Sequence, residues 1–275
     1  MKQADLSSPY LKALLYGAPG STKTRTAASA VFVDDFSPVL MLESAGNPMS
    51  VRSYVPQPTI FTMEKLSDYS LPYDWLFKGQ PADHPFIKSC EAAEIDLPKQ
   101  PFRTVISDGM TEIQRFAFRA IKPGLDVEPG ALPTDIELRD FYKVLQIMTN
   151  WAYKYIQLDM HVILTSLENE KQDKVGNIYR RPLLWGQSQG EIASYVYLVM
   201  RLTQTETIDT RSKSVVAADL EAANASQIIG FTRATSSFYA KDQYGMLDSG
   251  GQLMRYMYDP TIEEIWSKIL ELERI

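Results

Sequence analysis

Gly17, Ala18, Pro19, Gly20, Ser21 and Thr22 form a turn between the apolar stretch 11–16 and an alanine-rich run that opens with Lys23 and Thr24. Residues of these types at this spacing suit a polyphosphate. Backbone amides of the turn approach the oxygens, the lysine charge lies across the β and γ phosphates, and the threonine hydroxyl holds magnesium. The pattern for this chemistry is G-x-x-x-x-G-K-[ST]. Gly17, Lys23 and Thr24 meet it, whereas Thr22 stands where the second glycine belongs. A side chain must therefore fit where the backbone comes nearest the phosphate. The plainer alternative is a glycine-rich turn ahead of a helix.

Carboxylates fall where such a loop would use them. Asp108 ends the run Thr104, Val105, Ile106, Ser107 and suits the acid that orders a magnesium shell. Glu43 ends the run Val39, Leu40, Met41, Leu42, where it could polarise a water that attacks the γ phosphate. Each could equally be an ordinary acid at the end of a strand. Thr165 and Ser166 follow the apolar 161–164 and could hydrogen-bond the γ phosphate, or simply cap a turn. Lys171, Lys174, Arg180 and Arg181, interspersed with Tyr179 and Trp185, could pair cations with phosphates and stack rings on bases. Glu168, Glu170 and Asp173 dilute that charge, so a solvated hairpin is the competing reading.

The elements that must position these groups alternate. Strand, loop and helix over 11–33 lead to a strand at 39–43, with the first helix aimed back at the phosphates. Prolines at 56, 58, 72, 81, 85, 98 and 101 predict loops and short helices in a surface insertion over 55–101. A strand ending at Asp108, an amphipathic helix at 111–121, a Pro-Gly loop at 122–135 and a helix within 136–158 follow. That last helix has apolar spacing at Leu138, Phe141, Leu145 and Met148, and it leads to the strand 161–167. Residues 168–185 read as two arms of a hairpin or mobile loop about the turn 174–177. Further strands at 193–206 and 226–237, joined by a polar connection near 209–213, read as antiparallel, and an amphipathic helix closes the chain at about 260–274. The expectation is an α/β fold over 1–275 as a single domain. Its sheet is mostly parallel, flanked by helices, with antiparallel strands toward the C-terminus and ligands at the carboxyl ends of the strands.

Composition bounds the function. With 275 residues, 45% of them hydrophobic, the chain can bury a full core. A net charge of -6 excludes a protein that coats nucleic acid with its whole surface, so any such contact needs a local basic strip. Cys90 is the sole cysteine, and His84 and His161 lack zinc-ligand spacing. The N-terminus carries no apolar signal region, and no run reaches the ~18 apolar residues of a membrane span. The expectation is a soluble cytoplasmic protein with no membrane partner. Asn224, Ala225 and Ser226 match a glycosylation acceptor, a chance match in such a chain.

Together GAPGSTKT, VLMLESAG, TVISDG, HVILTS and the late SSFYAKDQYG resemble the RecA-like ATPases, most closely the compact phage-type ATP-binding or single-strand annealing recombination proteins. The resemblance covers roughly residues 10 to 248. It implies a RecA-like P-loop fold with ATP and Mg2+ as cofactors. It further implies Glu43 as the group that activates water, Asp108 as the magnesium acid, and assembly as a homo-oligomeric ring or filament with ATP at the subunit boundary. Lys241 matches the late basic residue that completes a neighbour's site, while Gln243 stands where an arginine is usual. The implied function is ATP-dependent binding of single-stranded DNA with annealing or strand exchange, in a host cytoplasm if phage-encoded. Two readings of other classes stay open: a nucleotide-gated structural or regulatory protein with little turnover, and a small-molecule phosphotransferase with 55–101 as its lid.

Overall fold

The computed structural model describes residues 10–44, 46, 49–124, 136–172, 174–204 and 228–273. Most of the expected 122–135 loop, the 209–213 connection, the Asn224 acceptor and the N-terminus lie outside the described residues.

Apolar runs that are buried on both faces form the centre of the sheet. Strands β1 (Lys12–Gly17), β2 (Val39–Glu43) and β4 (Thr104–Asp108) are buried at every position, and so is the first half of β5 (His161–Gln172). Near-continuous apolar strands of this kind belong to parallel sheets with helices on both sides. With β3 (Thr59–Thr62), β6 (Ile178–Pro182), β7 (Leu198–Gln204), β8 (Ile228–Phe231), β9 (Lys241–Asp242) and β10 (Tyr256–Tyr258), the sheet runs β10-β8-β7-β1-β5-β4-β2-β3. The six strands from β7 to β3 are mutually parallel. Antiparallel pairing adds β8 to β7, β10 to β8, β6 to β5 and β9 to β7.

Side chains that alternate along a strand feed two cores. On one face Leu14, Tyr16, Leu40, Leu42, Val105 and Val162 pack with α4 (Met110–Ile121), α5 (Leu138–Ile156) and α6 (Ser188–Tyr195). On the other, Ala13, Leu15, Met41, Ile106 and Ile163 pack with α1 (Lys23–Ala28) and the C-terminal α7 (Ile262–Glu273). Ile262, Ile265, Trp266 and Ile269 give α7 its helical stripe. Thr261 and Glu264 cap it reciprocally, Oγ1 accepting from the Glu264 amide at 3.2 Å and Oε2 from the Thr261 amide at 3.1 Å.

Three expectations need correcting. Residues 55–101 are no mere surface insertion: β3 extends the parallel edge of the sheet, and Tyr69, Trp75, Leu76, Phe86 and Cys90 enter the first core. Here α2 (Ser70–Phe77) and α3 (Pro85–Ala92) carry the aromatics inward, with the prolines confined to helix starts and connections. On α5 the buried stripe is Val144, Met148, Trp151, Ala152 and Tyr155, whereas Leu138 is 72% exposed. And β7 is parallel to β1 rather than wholly antiparallel, because α6 provides the crossover that returns the chain to the same edge.

Candidate active site

Parallel register brings the functional strand ends to one edge of the sheet. Glu43 pairs with Asp108, Ser107 with Leu164, and Gly17 with Leu167. A cleft of ≈ 210 Å³ at that edge is lined by Lys23, Thr24, Glu43, Asp108, Thr165 and Ser166, six of the residues singled out from sequence. Glu43, Thr165 and Ser166 are almost fully buried in its wall.

The loop from β1 to α1 is shaped for backbone access. A Cβ on Gly17 would lie 2.1 Å from the Leu202 carbonyl oxygen and 2.5 Å from Ser21 Oγ, so only glycine fits. Ala18, Pro19 and Gly20 are exposed at the mouth, and Ser21 is buried beneath them. Thr22 has φ 61° and ψ 16°, in the left-handed region. The backbone thus takes the conformation a second glycine would give, at a β-branched residue that resists it.

Lys23 Nζ donates to the carbonyls of Gly17 at 3.0 Å and Ala18 at 2.8 Å and to Ser21 Oγ at 3.4 Å. Burial pushes its pKa down, against the opposing pull of the Asp108 and Glu168 charges. Thr24 Oγ1 donates to Asp108 Oδ2 at 2.6 Å, and Thr165 Oγ1 donates to Asp108 Oδ1. One carboxylate therefore gathers hydroxyls from the phosphate loop and from the neighbouring strand. This donor set fits magnesium, which takes one or two protein oxygens and fills the remaining positions with water and phosphate. Among the described residues no cluster of three or more His, Cys, Asp or Glu forms an all-protein metal cage.

The cleft holds residues that the sequence reading left out. Thr111 and Glu112, in the first turn of α4, line it, and so does Ser50. Thr111 Oγ1 lies 3.4 Å from Ser166 Oγ and accepts from the Leu167 amide at 3.2 Å. Glu112 is paired with Arg115 Nη1 at 2.6 Å. An available signal was the short step from Asp108 to the helix start at Met110, which turns the first residues of α4 back toward the strand ends.

The remaining candidates lie elsewhere. β5 and β6 do form a hairpin, with Glu168 opposite Pro182 and Gln172 opposite Ile178. Lys171, Lys174 and Arg181 are exposed on it, and the Arg181 guanidinium stacks 4.5 Å from the centre of the Tyr179 ring. A pocket of ≈ 460 Å³ lies beside them, bounded by Asn169, Asn177, Gln189 and Ser237. Arg180 differs: it is 12% exposed, 3.5 Å from Glu168 and 2.9 Å from Glu170. Lys241 sits on β9 against the first residues of β7. Its Nζ donates to the carbonyls of Ala193 at 3.1 Å, Ser194 at 3.2 Å and Val196 at 2.7 Å, closing the C-terminus of α6. Within this chain it caps a helix and does not enter the cleft.

No protein-family model matches the chain, and no curated protein matches it. Among solved structures, it is similar to a KaiC-like protein from the hyperthermophilic archaeon Pyrococcus horikoshii OT3. Identity is 13% and the TM-score 0.37, over 82% of this chain and 78% of that one. Among the described residues no helix is long and apolar enough to cross a membrane.

Proposed function

We propose that the chain is a P-loop ATPase of the RecA-like kind whose nucleotide lies along the Gly17–Thr24 turn, numbered 17–24, with its terminal phosphates toward Glu43 and Asp108. The observation that carries this reading is the convergence of Lys23, Thr24, Glu43 and Asp108 on one cleft. Lys23 would exchange its loop carbonyls for the β and γ phosphates, and Thr24 with Asp108 would hold the metal and its water shell. Magnesium, when bound, would neutralise charge across the phosphates. Glu43, buried at the tip beside Asp108, would orient the attacking water and accept its proton.

Coupling to single-stranded DNA, with annealing or strand exchange by a homo-oligomer, is the finer part of the proposal. Its support is the resemblance over GAPGSTKT to SSFYAKDQYG together with exposed Lys171, Lys174 and Arg181 and a ring at Tyr179 on the hairpin. Bases could stack there while cations follow the backbone. A second reading, nucleotide binding with slow turnover, is favoured by the left-handed backbone at Thr22, which keeps a side chain in the phosphate approach.

The test is turnover and binding of magnesium-ATP by wild type, Lys23→Ala and Glu43→Gln, each with and without single-stranded DNA. Lys23→Ala should abolish binding; Glu43→Gln should bind normally but hydrolyse at least ~100-fold more slowly. Stimulation of the wild type by DNA supports the coupled function. Tight binding without turnover in the wild type supports the second reading, and the absence of binding removes both.

A further inference from the structure

We infer that the groove between α5 and the β5–β6 hairpin receives unstacked bases of a single DNA strand while the hairpin cations hold its phosphates. This rests on the DNA-coupled reading above and adds where the bases go. Strand pairing sorts the hairpin by charge. Residues opposite one another share a face and successive residues alternate, so Asn169, Lys171, Tyr179 and Arg181 fall on one side and Glu168, Glu170 and Arg180 on the other. The acids are paired on their own side, Glu168 with Arg201 at 2.6 Å and Glu170 with Arg180 at 2.9 Å. The carboxylates that dilute the charge in sequence are thus separated in space from Lys171 and Arg181.

Two pockets lie along the cationic face and join. One, of ≈ 460 Å³, is lined by Tyr179 and Arg181; the other, of ≈ 530 Å³, runs between the hairpin and α5. Asn169, Lys171 and Gln189 line both. In a chain of net charge -6, the described residues that line them include Lys171 and Arg181 and no carboxylate. Such a lining complements an anion.

The second pocket adds rings. Phe118, Phe141 and Trp185 cluster in its wall, with the Trp185 ring centre 4.6 Å from that of Phe118 and 6.4 Å from that of Phe141. Trp185 is fixed through its backbone: the amide donates to Gln114 Oε1 at 3.1 Å, and the carbonyl accepts from Ser188 Oγ at 2.5 Å. Leu138 and Tyr142 line the same pocket and are largely exposed. Exposed apolar side chains around a concavity of this size mark a binding site. The combination selects the occupant. Rings stack on a base, the amides of Asn169 and Gln187 can both donate to and accept from its edge, and Lys171 is placed for the phosphate beside it. An apolar peptide would leave the cations unpaired, and a duplex keeps its bases inside the stack.

The full chain with magnesium-ATP is titrated with a fluorescein-labelled oligothymidylate of about 20 residues and with an abasic strand of equal length and charge, the first expected to bind at least ~10-fold more tightly. Tyr142→Ala, changed at an exposed position, should weaken oligothymidylate binding ~5-fold or more, with melting temperature, salt slope and abasic affinity unchanged. Tryptophan emission should be quenched by oligothymidylate and not by the abasic strand. That quench should vanish in Trp185→Phe, which keeps a ring for stacking and still binds. Equal affinity for the two strands, wild-type affinity or an equal loss on both strands in Tyr142→Ala, or a quench that survives in Trp185→Phe overturns the inference and leaves the hairpin a backbone contact alone. A wild-type chain that binds neither strand overturns the DNA-coupled reading, and this inference with it.

Discussion

Arg201 of β7 and Glu168 of β5 form a buried ion pair across the end of β1, Nε to Oε2 at 2.6 Å and Nη2 to Oε1 at 3.3 Å. Their side chains are 4% and 9% exposed. β1 lies between those strands and carries Gly17 at its end, so the pair ties the strands on both sides of the phosphate loop. Arg180 joins from the hairpin, and the Arg201 guanidinium also rests 5.1 Å from the centre of the Phe238 ring. A carboxylate shared by two guanidiniums in a dry site is costly to break from either side, because the remaining partner keeps a buried, uncompensated charge. Arg180 therefore belongs to the structure of the hairpin's root, not to the exposed strip read from the sequence.

The hairpin cations should consequently separate into two classes. Lys171→Ala, Lys174→Ala and Arg181→Ala should each weaken single-stranded DNA binding and reduce the salt dependence by about one unit of slope, with melting temperature unchanged. Arg180→Ala should instead lower the melting temperature. Fluorescence anisotropy across a salt series, paired with thermal melts, reads both. Equal slopes in wild type and the first three variants would exclude the hairpin as the contact.

Thr22→Gly should stabilise the protein. The left-handed conformation costs a non-glycine residue roughly 1–2 kcal/mol, while glycine's freer unfolded chain takes back about 0.5–1 kcal/mol. A net gain of about 0.5–1 kcal/mol corresponds to a rise of roughly 1–4 °C in melting temperature for a chain of this size. Magnesium-ATP affinity should not fall, because the loop already holds the glycine conformation. Denaturant unfolding and nucleotide titration of the variant measure the two effects, and a destabilised variant would mean that the Thr22 side chain makes a compensating contact.

The strand ends were legible because a parallel sheet buried on both faces leaves an unbroken apolar signature. Runs 11–16, 39–42 and 104–107 each stop at a chemically distinct residue, and register then brings Glu43 beside Asp108. What stayed hidden depends on contacts remote in sequence. Nothing local to Tyr69 says that its ring meets that of Trp151, 82 positions on. Arg180 looks like its exposed neighbours until Glu168 is folded against it. In α5 a second set of apolar residues, Leu138 and Phe141 among them, competes with the buried stripe at helical spacing; they line a groove with Phe118 and Trp185 instead. Likewise α6 is only eight residues long, and its run into the β-rich stretch 195–203 blurs the period that would separate helix from strand.

His161 should set part of the acid sensitivity. Its Nδ1 accepts from the Leu11 amide at 2.9 Å, and the ring stacks on Phe36 at 3.6 Å with Trp266 edge-on at 5.2 Å. Burial, helped by repulsion from Lys12 and opposed by Asp35, lowers its pKa from 6.5 to about 4. The folded value lies below the unfolded one, so between these limits the unfolded chain binds a proton that the native chain does not. Stability is therefore fully present above the unfolded value and falls as pH drops through this window. From pH 6.5 to about pH 5, before most carboxylates titrate, the loss from this group should be ~1.5 kcal/mol. His161→Asn keeps a side-chain acceptor for Leu11 but no titrating ring, so its stability should change less over the same interval by about that amount. Urea unfolding of both proteins at matched pH measures the difference; parallel curves would mean that the proton is taken up elsewhere.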